Sequence, residues 1–134
     1  MSKDFDSIFQ DLRAILERQA ATLSVVDDGP KRYCLEAPIG PATVKSWGGG
    51  AKRRGGNVKR QTIPVAWTEI GKAYVSFHLM GLEAVSATLS TKLKARLQGK
   101  TCFNFLAPDR TLFEELETVT VRSIAALRKA GYCA

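Results

Sequence analysis

The 134-residue chain carries 20 Lys and Arg against 13 Asp and Glu, a formal charge of +7, with 45% hydrophobic and 25% charged residues. That composition fits one globular domain, large enough to bury a core without disulfide staples. It excludes a membrane helix, since no apolar run approaches roughly 18 residues, and a disulfide or zinc framework, since three cysteines and one histidine supply neither pairs nor ligand sets.

The N-terminal "MSKDFDSIFQDL" mixes charged and apolar residues, unlike a signal peptide. The expected compartment is the cytosol, with Cys34, Cys102 and Cys133 as reduced thiols. Phe5, Ile8, Phe9, Leu12, Ile15, Leu16 and Leu23 recur every three or four residues and predict a first helix. Asp4, Asp6 and Asp11 suit its N-terminal end. "DDGP" at Asp27–Pro30 breaks it with turn chemistry.

"KRYCLEA" alternates and reads as a first strand, with Tyr33 and Leu35 opposite in facing to Cys34 and Glu36. "ATVKSW" reads as a short second strand. "QTIPVAWTEI" and "KAYVSFHLM" predict a hairpin reversing at Gly71–Lys72, where glycine supplies the positive φ of a type II′ turn. That register pairs Thr68 with Val75, Ala66 with Phe77 and Pro64 with Leu79 on an apolar core face. The other face pairs Glu69 with Tyr74, Trp67 with Ser76 and Val65 with His78. Residues from Gly81 to Leu89 suit a helical turn or two. Ser90 suits an N-cap for a short helix that Gly99 stops. "TCFNF" is a strand with Phe103 and Phe105 inward. Thr111 and Glu114 have capping-box spacing ahead of a long helix buried through Leu112, Leu116, Val119 and Leu127.

Strands joined by tight turns with helices at both ends define an α+β fold: an antiparallel sheet of four to five strands with the N- and C-terminal helices packed on one face. No repeat or linker divides the chain, so residues 1–134 read as one domain.

The run "GKAYVSFHLM", then "LKARLQGKTCFNF", then a capped helix ending "LRKAGY" resembles the YdhG-like domains of unknown function, small bacterial α+β proteins. The likeness spans roughly Ile70 to Tyr132, and "VSFHL" and "GK-x-C-F-N-F" carry it. It implies a cytosolic stand-alone domain with an antiparallel sheet and flanking helices. An iron-chaperone role in one relative would imply an acidic ridge, whereas the carboxylates here do not cluster and the densest charge is cationic.

Charge is indeed uneven. No acid stands between Ala37 and Thr68, while Lys45, Lys52, Arg53, Arg54, Lys59 and Arg60 put +6 of the +7 there. Within it, "WGGGAKRRGGNVKRQ" is a Gly-rich basic loop, expected to be flexible over residues 48–60. It lacks the lysine and hydroxyl that a phosphate-binding P-loop places after its last glycine, since Gly56 and Asn57 follow Gly55. Arg53 likewise occupies the third-glycine position of a dinucleotide-binding pattern. Two readings stay open: a solvated loop that aids solubility, or anion binding by the six cations to nucleic acid or another polyanion.

The second hairpin face offers the other site. Trp67, Tyr74, Ser76 and His78 form an amphipathic strip that Asn104 and Cys102 extend if "TCFNF" pairs nearby. It suits a small molecule or protein partner, or a homodimer contact, and equally a second apolar layer beneath the first helix. His78 has no acid placed to orient it, so a structural or pocket-lining histidine is favoured over a catalytic one. No catalytic residues, cofactor, metal or membrane partner are expected, and the chain is a monomer or a homodimer.

Overall fold

The computed structural model describes residues 5–38, 62–99 and 101–133. The expected "ATVKSW" strand, the Gly-rich loop and the six clustered cations from Lys45 to Arg60 lie outside the described residues.

The chain opens with helix α1 (Phe5–Glu17), which buries Ile8, Phe9, Leu12, Ile15 and Leu16, the stripe that the three-and-four spacing predicts. The helix ends before Leu23. A 3-10 turn at Ala20–Thr22 intervenes, and Leu23 only flanks the core.

Among the described residues six strands follow in one antiparallel sheet: β1 (Ser24–Asp28), β2 (Arg32–Pro38), β3 (Thr62–Ile70), β4 (Val75–Leu79), β5 (Leu97–Gln98) and β6 (Cys102–Phe105). Their spatial order is β1-β2-β3-β4-β6-β5. The count exceeds the four to five expected. β1 reads as the tail of the first helix, because "SVVDD" lacks alternation, and β5 is too short to carry a period. A second helix, α2 (Thr91–Lys94), precedes β5. The long α3 (Arg110–Lys129) closes the fold.

The hairpin corrects the expected register. Ile70 pairs with Val75, Thr68 with Phe77, Trp67 with His78 and Ala66 with Leu79. The Gly71 N–H donates to the Tyr74 carbonyl at 2.8 Å, so the reversal sits at Lys72–Ala73 rather than Gly71–Lys72. Moving a turn by one residue moves every cross-strand pair by two, which changes partners and preserves faces. Phe77 therefore still points into the core, and His78 away from it. Tyr74 leaves the strand for the turn and is exposed.

Val65 is a second correction. A bulge in the β2–β3 ladder pairs Leu35 with Ala66 and Glu36 with Pro64, leaving Val65 as the extra residue. Val65 and Ala66 both join the core, so Val65 does not share a face with His78.

The core brings α1 and α3 onto one face of the sheet, against Tyr33, Leu35, Val75, Phe77, Leu79, Phe103 and Phe105. Burying each large apolar side chain here stabilises the fold by about 1.5–3 kcal/mol. Phe113 of α3 meets Phe105 edge-on at 5.0 Å. Asp109 caps α3 by accepting from the Leu112 N–H at 3.0 Å, in place of the expected Thr111 box. Ser90 caps α2 as expected, and its hydroxyl also donates to the Glu115 carboxylate of α3 at 2.6 Å. The chain leaving β4 presses against α3 so closely that a Cβ on Gly81 would lie 2.4 Å from the Ser123 carbonyl oxygen.

Candidate functional site

With both terminal helices on the Phe77 side, the opposite sheet face carries the polar and aromatic residues. It is not a second layer beneath α1, whose buried stripe belongs to the Phe77 core. Register sets its composition. Asp27, Cys34, Trp67, His78, Cys102 and Gln98 are successive cross-strand partners, one from each of the six strands. At about 4.8 Å per strand, this row spans about 24 Å. A neighbouring row runs Arg32, Glu69, Ser76 and Asn104.

The middle of the first row is the focus. Trp67 and His78 stack with ring centroids 4.5 Å apart and planes 10° from parallel. The observed register places them directly opposite, where expectation had them two residues out of step. Beyond the imidazole, the Cys102 thiol sits 3.7 Å from His78 Nε2 and donates to Asn104 Oδ1 at 3.3 Å. Asn104 Nδ2 donates in turn to Gln98 Oε1. Indole, imidazole, thiol and two amides thus form a continuous chain of contacts across β3, β4, β6 and β5.

The two halves of this face differ electrostatically. On the β1–β3 side, Arg32 pairs with Asp27 at 3.0 Å and approaches Glu69 at 3.7 Å. Glu36 accepts from the Thr62 hydroxyl. The His78–Cys102–Asn104–Gln98 side is made of neutral groups. Burial, the largest influence, holds the imidazole pKa of His78 below its usual 6.5, outweighing the pull of Glu69. Burial also raises the Cys102 thiol, with Glu69 adding to the effect. An activated cysteine nucleophile needs the reverse shifts, a lowered thiol beside a positive imidazole. Thiol and imidazole here are both held neutral.

Of the ligand-binding residues expected from sequence, Trp67, His78, Ser76 and Asn104 come together on this face. Ser76 is nearly buried, and its hydroxyl turns to the Glu69 carbonyl at 3.4 Å. Tyr74 does not join them, because it stands in the turn. Cys34 and Gln98 escaped the sequence reading. Cys34 is recognisable only once β2 is known to pair with β3, and Gln98 only once β5 is known to exist. Among the described residues, no group of three or more His, Cys, Asp and Glu side chains could hold a metal ion. No helix among them is long and apolar enough to cross a membrane.

A groove of about 600 Å³ lies elsewhere, between α1 and α3, over Ile15 and Phe113. Its rim includes an Arg18–Glu117 pair with Nη2 2.8 Å from Oε1, which ties the two helices together. No family model, curated protein or solved structure matches the chain.

Proposed function

We propose that this chain is a non-catalytic binding domain of the YdhG-like kind. A small molecule or protein partner is held on the aromatic sheet face by Trp67, His78, Ser76 and Asn104, with Tyr74 at the margin. The observation that carries this reading is the Trp67–His78 stack, 4.5 Å between centroids, set on the face away from the helices and continued by neutral hydrogen-bonding groups. Aromatic rings beside a few convergent polar groups suit recognition of a flat, partly polar ligand. The resemblance fits as well: "VSFHL" forms β4 and the "CFNF" of the second motif forms β6, adjacent strands whose His78, Cys102 and Asn104 meet here. Domains of that kind imply a cytosolic compartment.

The test is amide-resolved NMR with a panel of flat heteroaromatic fragments, alongside fluorescence of Trp67 in a Trp47→Phe background. Shifts should concentrate at Trp67, His78, Cys102 and Asn104, and Trp67→Ala should weaken them while the protein stays folded. Shifts gathered instead around Ile15 and Phe113 would move the site to the helical groove and end this reading.

A further inference from the structure

We infer that the sheet face binds single-stranded nucleic acid, stacking bases against the Trp67–His78 pair. This rests on the binding-face reading and specifies its ligand class. Three observations converge on it.

The first is shape. The accessible part of the row runs from Trp67 across His78 and Cys102 to Gln98, about 14 Å over four strands, without a described helix crossing it, while Cys34 on β2 is buried. An extended, flexible polymer suits such a surface better than a compact ligand does.

The second is chemistry. Every base offers a flat π-face, so stacking on aromatic side chains is tolerant of sequence. Next to the rings, the Asn104 and Gln98 amides present donors and acceptors of the kind that read base edges. The described side chains that build this patch, His78, Cys102, Asn104 and Gln98, carry no charge at neutral pH. The carboxylates of Asp27 and Glu69 lie on the other side, both engaged with Arg32.

The third is charge. The chain carries +7 in all, and six cations without an acid fall between Ala37 and Thr68. β2 ends at Pro38 and β3 begins at Thr62, five residues before Trp67, so this positive stretch of sequence is tethered at both ends to the strands that build the face. A neutral stacking surface on a strongly cationic chain calls for a partner that has both bases and phosphates.

The experiment measures fluorescence anisotropy of labelled oligo(U) and oligo(dT) of about 12 nucleotides, and of a duplex of equal length, with the intact chain at low salt. Single strands should bind at least tenfold more tightly than duplex. Trp67→Ala and His78→Ala should each cost about tenfold, and Trp67→Phe, which keeps a ring, should cost less. Circular dichroism confirms that each variant is folded; Trp67→Phe and His78→Ala decide the matter if Trp67→Ala is not. A preference between the oligo(U) and oligo(dT) strands reports on the 2′-hydroxyl or the thymine methyl group and leaves the inference standing. Equal binding of single strand and duplex, unmoved by either ring variant, overturns it in favour of bare attraction between a cationic chain and any polyanion. Absence of binding at low salt also overturns it. If the heteroaromatic panel still perturbs Trp67 in that case, the binding face survives and only its ligand class is wrong.

Discussion

His78 is the side chain whose titration reports on the whole face. Its folded pKa lies below the usual 6.5 because burial penalises the imidazolium. The unfolded chain therefore binds more protons in acid, and stability rises with pH through this group. The contribution is complete above about 6.5 and is lost as pH falls from there through the folded value. Denaturant midpoints should fall across that window, and the fall should shrink in His78→Gln. In a Trp47→Phe background, Trp67 emission should titrate with its stacked neighbour, with a midpoint under 6.5. A midpoint at or above 6.5 would mean that the imidazole is solvated or paired with Glu69 after all. The cysteines give a companion check. Burial raises the thiol pKa of Cys34, Cys102 and Cys133 alike. All three should alkylate more slowly at neutral pH in the native protein than in the unfolded chain. Fast labelling of Cys102 alone would revive a nucleophilic role beside His78.

Between elements, the contacts that matter most are those that dock α3. Gly81 has no room for a methyl group, since a Cβ would meet the Ser123 carbonyl at 2.4 Å and the Leu127 side chain at 2.9 Å. Backbone cannot move aside cheaply, so Gly81→Ala should destabilise the fold by about 2 kcal/mol by thermal or chemical melting. At the start of the same helix, Asp109→Ala should cost about 1 kcal/mol and Thr111→Ala much less, because only the former accepts from the Leu112 N–H. The reverse order would restore the Thr111 box. These elements also show what the sequence made readable. α1, α3, β4, β6 and β3 from Ala66 onward were legible because their apolar residues keep a strict period and burial enforces it, whereas the bulge at Val65 breaks the period of β3 and hid its facing. Turn position was not legible either, because the preference for glycine at a positive φ pointed to Gly71–Lys72, whereas Gly71, Lys72 and Ala73 all keep negative φ, and only the pairing of β4 with β6 and of β2 with β3 settles the ladder. The site was half legible for the same reason. Facing put Trp67, His78 and Asn104 together, whereas the stack itself needed the corrected register. β1 and β5 left no period to read, so Gln98 could not be foreseen.

At the scale of the molecule, charge and sheet face make separable contributions to any nucleic-acid complex, and salt divides them. Each cation that neutralises a phosphate on a single strand contributes about −0.7 to the slope of log K against log salt. If the six cations between Ala37 and Thr68 all engage, the slope approaches about −4. Replacing Lys52, Arg53 and Arg54 together with alanine removes half of them, so the slope should flatten to about −2, with affinity falling most at low salt. The fluorescence titration that follows His78 in the free protein should be unchanged by that triple variant. Trp67→Ala should do the opposite, lowering affinity by a similar factor at every salt concentration and leaving the slope alone, because stacking releases no counterions. The two variants together should then be nearly additive. A Trp67→Ala protein whose slope also flattens would mean that the indole positions phosphate contacts rather than bases. A triple variant that keeps the full slope would place the phosphate contacts on cations elsewhere in the chain.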